Sequence, residues 1–231
     1  MEKPAKPGQQ VLVALRRMIA DGTIKPGDRI AEIPTAEALG VSRMPVRTAL
    51  RALEHEGLVV KLGARGYTPR TMDAAAIAGA IEVRGVLEGL AARRVADRGL
   101  TLAEAADLEA ILAEGDALFA KGHLVDSDLD GFYRYNIAFH DLLIVASGNP
   151  SIALALGRNN HLPFASAAAL ALDWDDLEGE YHHLLKAHDE HRAVFAAIRA
   201  GDADQAEQLM RDHAAVAIAN RRAFRMLDAE R

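Results

Sequence analysis

Between Gly40 and Leu53 the chain sets Arg43, Arg47 and Arg51 at i, i+4 and i+8, with Val46, Leu50 and Leu53 on a second stripe about a quarter-turn away. A segment divided in this way folds as a helix that packs on one side and presents cations on the other. Arginine suits the outward side because its planar fork grips phosphate or takes a guanine edge bidentately, and a helix N-terminus near Ser42 favours phosphate through its free N–H groups. The residues expected to face DNA are Ser42, Arg43, Met44, Pro45, Arg47 and Arg51. The same spacing also describes an ordinary solvated basic face, so the neighbouring residues decide between the two.

Those neighbours have helix-turn-helix grammar. Gln9 to Ala20 reads as an amphipathic helix with Val11, Leu12, Leu15, Met18 and Ile19 inward, stopped by Gly22 and the turn Lys25-Pro26-Gly27-Asp28. A short helix from about Pro34 to Leu39 follows, and Gly40 supplies the left-handed corner from which the basic helix leaves. Leu58-Val59-Val60-Lys61 and Tyr67-Thr68-Pro69-Arg70 then flank Gly63-Ala64-Arg65-Gly66, a β-hairpin with a basic tip, whose Arg65 and Gly66 would lie against the sugar-phosphate backbone as a wing.

On these residues the chain resembles the GntR transcriptional regulators. The resemblance is carried by Gly22-Thr23-Ile24-Lys25-Pro26-Gly27-Asp28, by Ala38 through Leu50, by Leu53-Glu54-His55-Glu56-Gly57-Leu58-Val59 and by Arg65-Gly66. It implies a winged helix-turn-helix over residues 1–70 with double-stranded DNA as partner. One departure is Thr35-Ala36, which stands where the family usually has Leu-Ala.

The charge distribution agrees with a division into two domains. Residues 1–70 carry a net charge of +5 and residues 71–231 a net charge of −11, so an overall pI near 5.8 does not argue against a nucleic-acid partner. The absence of cysteine excludes disulfides and thiolate metal sites and fits a reducing cytoplasm. A polar, proline-bearing N-terminus and the lack of any eighteen-residue apolar run point away from secretion and from membrane spanning, leaving the cytoplasm as the expected location.

Beyond Met72 the periodicity is helical. Asp73 is expected to cap a helix running to about Arg98, with Ile77, Ala80, Ile81, Leu87, Leu90, Ala91 and Val95 as its core stripe. Thr101 and Glu104 form a capping box that opens a helix to about Lys121, and a third runs from Val125 or Ser127 to Ala146. Ser147-Gly148-Asn149-Pro150 stops it, Ser151 opens a fourth that breaks at Asn159 to Pro163, and a helix resumes from Phe164 to Leu172. Two last helices, about Asp176 to Ala200 and Ala203 to Leu227, turn at Gly201-Asp202. The expected fold is therefore mainly α: three helices and a hairpin wing, followed by an all-α antiparallel bundle.

Histidine placement gives this bundle a candidate centre. Asn136 and His140 are one turn apart on one helix face, and His191 and His213 lie roughly 15 and 18 Å from the Gly201 turn at about 1.5 Å per residue, nearly level across two antiparallel helices. Three imidazoles and an amide oxygen converging there make a candidate site for divalent Zn, Mn or Ni. The bland alternative is a set of satisfied core histidines. The other histidines, His188 among them, share no spacing that defines a site and are expected on solvated faces.

Here too a resemblance applies. Phe139 through Pro150, Glu190 through Asp202 and Met210-Arg211-Asp212-His213 are similar to the all-helical FCD effector domain of the FadR subfamily, over residues 75–225. Many members of that group hold a metal with one Asp and three His; the carry-over places Asn136 at the Asp and His140, His191 and His213 at the histidines. Asn binds through a neutral carbonyl oxygen, so this site has one negative charge fewer. The resemblance implies a ligand-responsive regulator, with a small organic acid as effector.

Arg84, in Glu82-Val83-Arg84, could meet an effector carboxylate, although a salt bridge to Glu88 one turn on fits equally well. Arg134, Arg158, Asn159 and Asn160 could line the same pocket. A homodimer is expected, because two recognition helices related by a dyad read an inverted repeat. Two other functions remain open: a metal-dependent hydrolase using the histidines, which lacks an evident general base because Asp141 points about 100° away from His140 round the helix, and a regulator that senses the metal alone.

Overall fold

The computed structural model describes residues 7–20, 22–55, 57–71, 74–159 and 176–219. Helix α1, Pro7–Ala20, buries Val11, Leu15 and Ile19, with Leu12 and Met18 half-buried beside them. Helix α2, Glu32–Ala38, ends in a corner where Gly40 takes φ 65° and the Val41 amide donates to the Ala36 carbonyl. Helix α3, Arg43–His55, leaves that corner and buries Val46, Ala49, Leu50 and Leu53. Thr35 is half-buried while Ala36 is fully inside, so the hydroxyl at this position is not forced into the apolar core.

Strands β1, Val59–Lys61, and β2, Tyr67–Pro69, pair antiparallel with Val60 opposite Thr68, and a short 3-10 turn at Gly63–Arg65 joins them. Ile30 adds a bridge to Tyr67, each residue's amide donating to the other's carbonyl at 2.7 and 2.8 Å. The wing is thereby tied to the segment that leads into α2. Gly66 permits this: its φ is 112°, and a Cβ there would sit 2.4 Å from the Ile30 carbonyl oxygen.

Six helices follow among the described residues: α4 Ala74–Arg98, α5 Leu102–Phe119, α6 Asp126–Ala146, α7 Pro150–Asn159, α8 Leu177–Ala200 and α9 Ala203–Ala219. The capping box forms, with Thr101 Oγ1 accepting from the Glu104 amide and Glu104 accepting from the Thr101 amide. Asp176 caps α8 by accepting from the Gly179 amide, and Gly201, at φ 71°, turns α8 into α9. Asp73, the expected cap of α4, Asn160, and the segment from Phe164 to Leu172 lie outside the described residues.

Helix α9 packs on α4 most closely where α4 has no side chains. A Cβ at Gly85 would stand 3.1 Å from Ala214 Cβ, and one at Gly89 would stand 3.0 Å from the Glu207 carbonyl oxygen. Ala92 and Ala96 continue this small-residue face into a core with Phe139, Leu143, Val194, Ile198 and Met210. At its other end α4 contributes Ile77 and Ile81 to the cluster that contains Val11, Leu15, Leu50 and Leu53. One helix is thus common to both cores. Leu90, expected within the core stripe, is instead exposed with Val83 and Val86, because the glycine face of α4 turns toward α9 and rotates Leu90 outward.

Gly66→Ala should cost about 2 kcal/mol or more, since the new methyl meets backbone and the positive φ is strained for an L side chain. Urea unfolding followed by circular dichroism checks this. Gly8→Ala, whose Cβ meets nothing within 4 Å, is the control.

Candidate DNA-reading face and buried histidine centre

The outward side of α3 is built as its spacing requires. Arg43, Met44 and Arg51 are exposed, Pro45 and Arg47 are half-buried, and Ser42 is exposed immediately before the helix. The Thr48 hydroxyl turns back to donate to the Met44 carbonyl at 3.1 Å, and so adds no free donor to this face. A groove of about 890 Å³ runs from α3 to the wing, and Arg29, Arg43, Arg47, Arg51, Lys61 and Arg65 all border it. The Arg65 carbonyl accepts from Arg29 Nε, which holds the wing tip beside the groove and leaves the Arg65 side chain exposed.

Sequence reasoning missed the acid in this groove. Glu32, in the first turn of α2, accepts from Arg47 Nε and Nη2 at 2.8 Å each and from Arg43 Nη2 at 3.2 Å. Hydrogen bonding to Arg47 first, and to Arg43 as well, pulls its carboxyl down to about 2. No local spacing links Glu32 to α3; only the Gly40 corner brings them together.

The second site is buried. His140 of α6, His191 of α8 and His213 of α9 are each at most 6% exposed. Their Nε2 atoms converge: His191 to His213 is 3.0 Å and His213 to His140 is 3.3 Å. The opposite ring nitrogens face outward to oxygen partners. His213 Nδ1 lies 2.9 Å from Glu190 Oε2 and His191 Nδ1 3.5 Å from Tyr135 Oη. His140 Nδ1 lies 3.2 Å from Glu88 Oε2, within ion-pair distance but off the line of a hydrogen bond. Phe139 stacks on the His191 ring at 4.2 Å and closes one wall.

These surroundings decide the charge state. Burial, reinforced by the neighbouring imidazoles, pushes His191 well below its ordinary 6.5. Burial also lowers His213, and the Glu190 hydrogen bond only partly opposes it. For Glu88, burial alone would raise the carboxyl; His140 and Arg84 outweigh it and hold Glu88 below the usual range. Glu190 against His213 Nδ1 favours the ring proton there, so the Nε2 of that ring can turn its lone pair inward. The Nε2 atoms of the three rings form a close cluster that a shared ring proton or a bound cation would hold together. That spacing is also about what two nitrogens show when each is about 2.0–2.1 Å from one ion. The donor set therefore fits a divalent metal.

The remaining predicted residues are dispersed. Asn136 is buried one turn before His140. Arg84 is buried beside Glu88, its Nε 3.7 Å from Glu88 Oε2, while its Nη2 donates to the Ala214 carbonyl at 3.1 Å. The anticipated salt bridge and the anticipated effector contact thus concern the same buried guanidinium. Arg134 and Arg158 are exposed, and Asn159 donates to the Ala80 carbonyl at 2.8 Å. His188, expected on a solvated face, is 2% exposed, because it faces α5 and meets Asp116 Oδ1 at 2.9 Å. Only glycine at position 115 leaves room for that ring: a Cβ there would lie 2.4 Å from it. Of the outer partners, Glu190 adjoins His191 in sequence, whereas Glu88 could be connected to His140 only through the fold.

Comparison with known proteins places two family domains on one chain. Residues 7–68 match the model of bacterial regulatory proteins of the gntR family, and residues 80–216 match the FCD domain. The chain belongs to the GntR family. The uncharacterized HTH-type transcriptional regulator YdhC of Bacillus subtilis is 33% identical over 162 residues, 70% of each chain. The HTH-type transcriptional regulator LutR of the same organism is 29% identical, over 85% of this chain and 92% of its own. The solved structure of McbR/YncC from E. coli shares the fold at a TM-score of 0.57 and 21% identity, covering 98% of this chain and 99% of its own. This GntR protein is accordingly a DNA-binding transcriptional regulator with a helical FCD domain. No helix among its described residues is long and apolar enough to cross a membrane.

The depressed imidazoles make stability depend on pH in a definite direction. Between the folded value of His191 or His213 and the ordinary 6.5, the unfolded chain binds more protons, so this contribution is complete above 6.5 and lost as pH falls below it. His183, also lowered by burial, acts with the same sign. The melting temperature in chelator should fall between about pH 7 and about pH 5, and His191→Gln should flatten that fall. Circular dichroism melts check both.

Proposed function

We propose that residues 1–70 of this regulator bind an inverted-repeat operator as part of a homodimer, while residues 75–225 take a small carboxylate effector beside a divalent ion. The observation that carries this reading is the presence, on one chain, of an outward arginine face and a buried centre of three inward imidazole nitrogens. His140, His191 and His213 would hold Zn, Mn or Ni, with Asn136 as the oxygen ligand. A bound divalent ion supplies an electrophile for an anionic oxygen and a tie between three helices.

Arg84 supports an organic anion over metal sensing alone. Its Nε is buried without a hydrogen-bond partner, since Glu88 stands 3.7 Å away, and a carboxylate would satisfy it. Arg134, Arg158, Asn159 and Asn160 are further candidates for the effector pocket, with Asn159 already engaged at Ala80. A hydrolase reading is disfavoured by geometry, because Glu88 and Glu190 both face Nδ1 atoms, away from the side where a metal-activated water would need a base. Pairing of two copies is supported by Val83, Val86 and Leu90, which with Gly79 form an exposed apolar stripe along α4. Helix α4 then has ends in both functions: Glu88, with Arg84 beside it, meets the histidine centre, and Ile77 and Ile81 pack in the DNA-binding core.

DNA binding is tested by Arg43→Ala and Arg47→Ala, each expected to cost on the order of 1–3 kcal/mol of specific affinity while leaving the bundle folded. Gel shifts at physiological salt, on DNA selected by the wild-type protein from a randomised pool, measure it. Undiminished binding by the double variant would place recognition elsewhere.

The metal reading predicts opposite effects for two substitutions. Asn136→Asp should bind zinc more tightly, because it adds a charge without lengthening the side chain, and His191→Ala should lose the ion. Elemental analysis and zinc titration of protein purified without a metal column check both. A zinc-free wild type unaffected by Asn136→Asp would leave the histidines as packing groups. DNA binding titrated with zinc alone, without metabolite, separates the metal-sensing alternative.

A further inference from the structure

Glu32 is the acid within a groove bordered by six basic side chains, and it is joined to two of them. The geometry of that junction is asymmetric. Glu32 takes the side edge of Arg47, Oε1 from Nε and Oε2 from Nη2, each at 2.8 Å, and takes only one longer bond, 3.2 Å, from Arg43 Nη2. With its side edge held, the Arg47 guanidinium keeps its terminal edge, Nη1 and the second hydrogen of Nη2, directed away from the carboxylate. That edge alone can still take both O6 and N7 of a guanine. Arg43, more exposed and held at one atom, is free to swing to phosphate.

We propose that Glu32 is a positioning residue for base recognition, fixing Arg47 by one edge so that its other edge reads a guanine; the proposal rests on the reading of α3 as the DNA-binding helix. A direct contact of Glu32 with cytosine is not needed and not favoured, since its two oxygens already accept three hydrogen bonds. The carboxylate also opposes indiscriminate binding, because it cancels a positive charge in a groove that would otherwise attract any phosphate backbone.

The two roles move affinity in opposite directions, which makes the proposal testable. Glu32→Gln keeps the shape, removes the charge and cannot accept at both atoms. Wild type and variant are each used to select from a randomised duplex pool, and their affinities for poly(dI-dC) are measured across a salt series. The expected result is that Glu32→Gln loses discrimination at one guanine per half-site by about 10-fold or more, while its affinity for poly(dI-dC) rises and its thermal melt is unchanged. In an Arg47→Lys background, which already lacks the fork, Glu32→Gln should cause no further loss at that base. An unchanged selected motif would overturn the proposal, as would a loss that persists in the Arg47→Lys background. Failure of the DNA reading looks different: the Arg43→Ala, Arg47→Ala protein would then select the wild-type motif undiminished, and both inferences would fall together.

Discussion

The close approach of α4 to α9 is the constraint on which the rest of the molecule depends. Gly85 and Gly89 let the α9 backbone lie against α4 where any side chain would hold it off. That approach brings Arg84 within reach of the Ala214 carbonyl, and it carries His213 toward His140 on α6, to which Glu88 of α4 is also applied. A wider separation would open both the histidine centre and the hydrophobic core around it, because close-packed contacts weaken steeply with distance. The same helix supplies Ile77 and Ile81 to the core beneath α3. Its position is therefore fixed at both ends.

Much of this organisation could be read in the sequence because it depends on local periodicity. The Thr101 and Glu104 box, the Gly40 corner, the Gly201 turn and the three-residue apolar stripe of α3 each involve residues within one or two turns of one another. His191 and His213 were also legible together, since two antiparallel helices about a short turn have a calculable register. What the sequence hid are contacts that local spacing does not encode. Glu32 reaches Arg47 only after the chain turns at Gly40, and Glu88 reaches His140 from another helix. His188 had the composition of a surface residue and became buried because Gly115 left a space on α5. Leu90 had the opposite fate, since a glycine face competed with an aliphatic one for the interior of α4 and won by allowing closer backbone packing.

The outer carboxylates show one arrangement at both candidate sites. Glu32 is placed against Arg47 and Arg43, and Glu88 against His140 and Arg84. In the exposed groove the acid contributes little to stability, because water screens the pair. Its effect is to restrict orientation. In the buried centre the balance differs: burial opposes the Glu88 charge, and only the neighbouring cation and imidazole keep it ionised. Glu88 stands 3.2 Å from His140 Nδ1, on the side of the ring opposite the nitrogen that faces His213. The carboxylate thus occupies one side of a planar group and leaves the other side available, an arginine edge in one case and an imidazole nitrogen in the other. A ligand entering either site meets donors or lone pairs whose direction was set by folding, so less orientational freedom has to be lost when it binds.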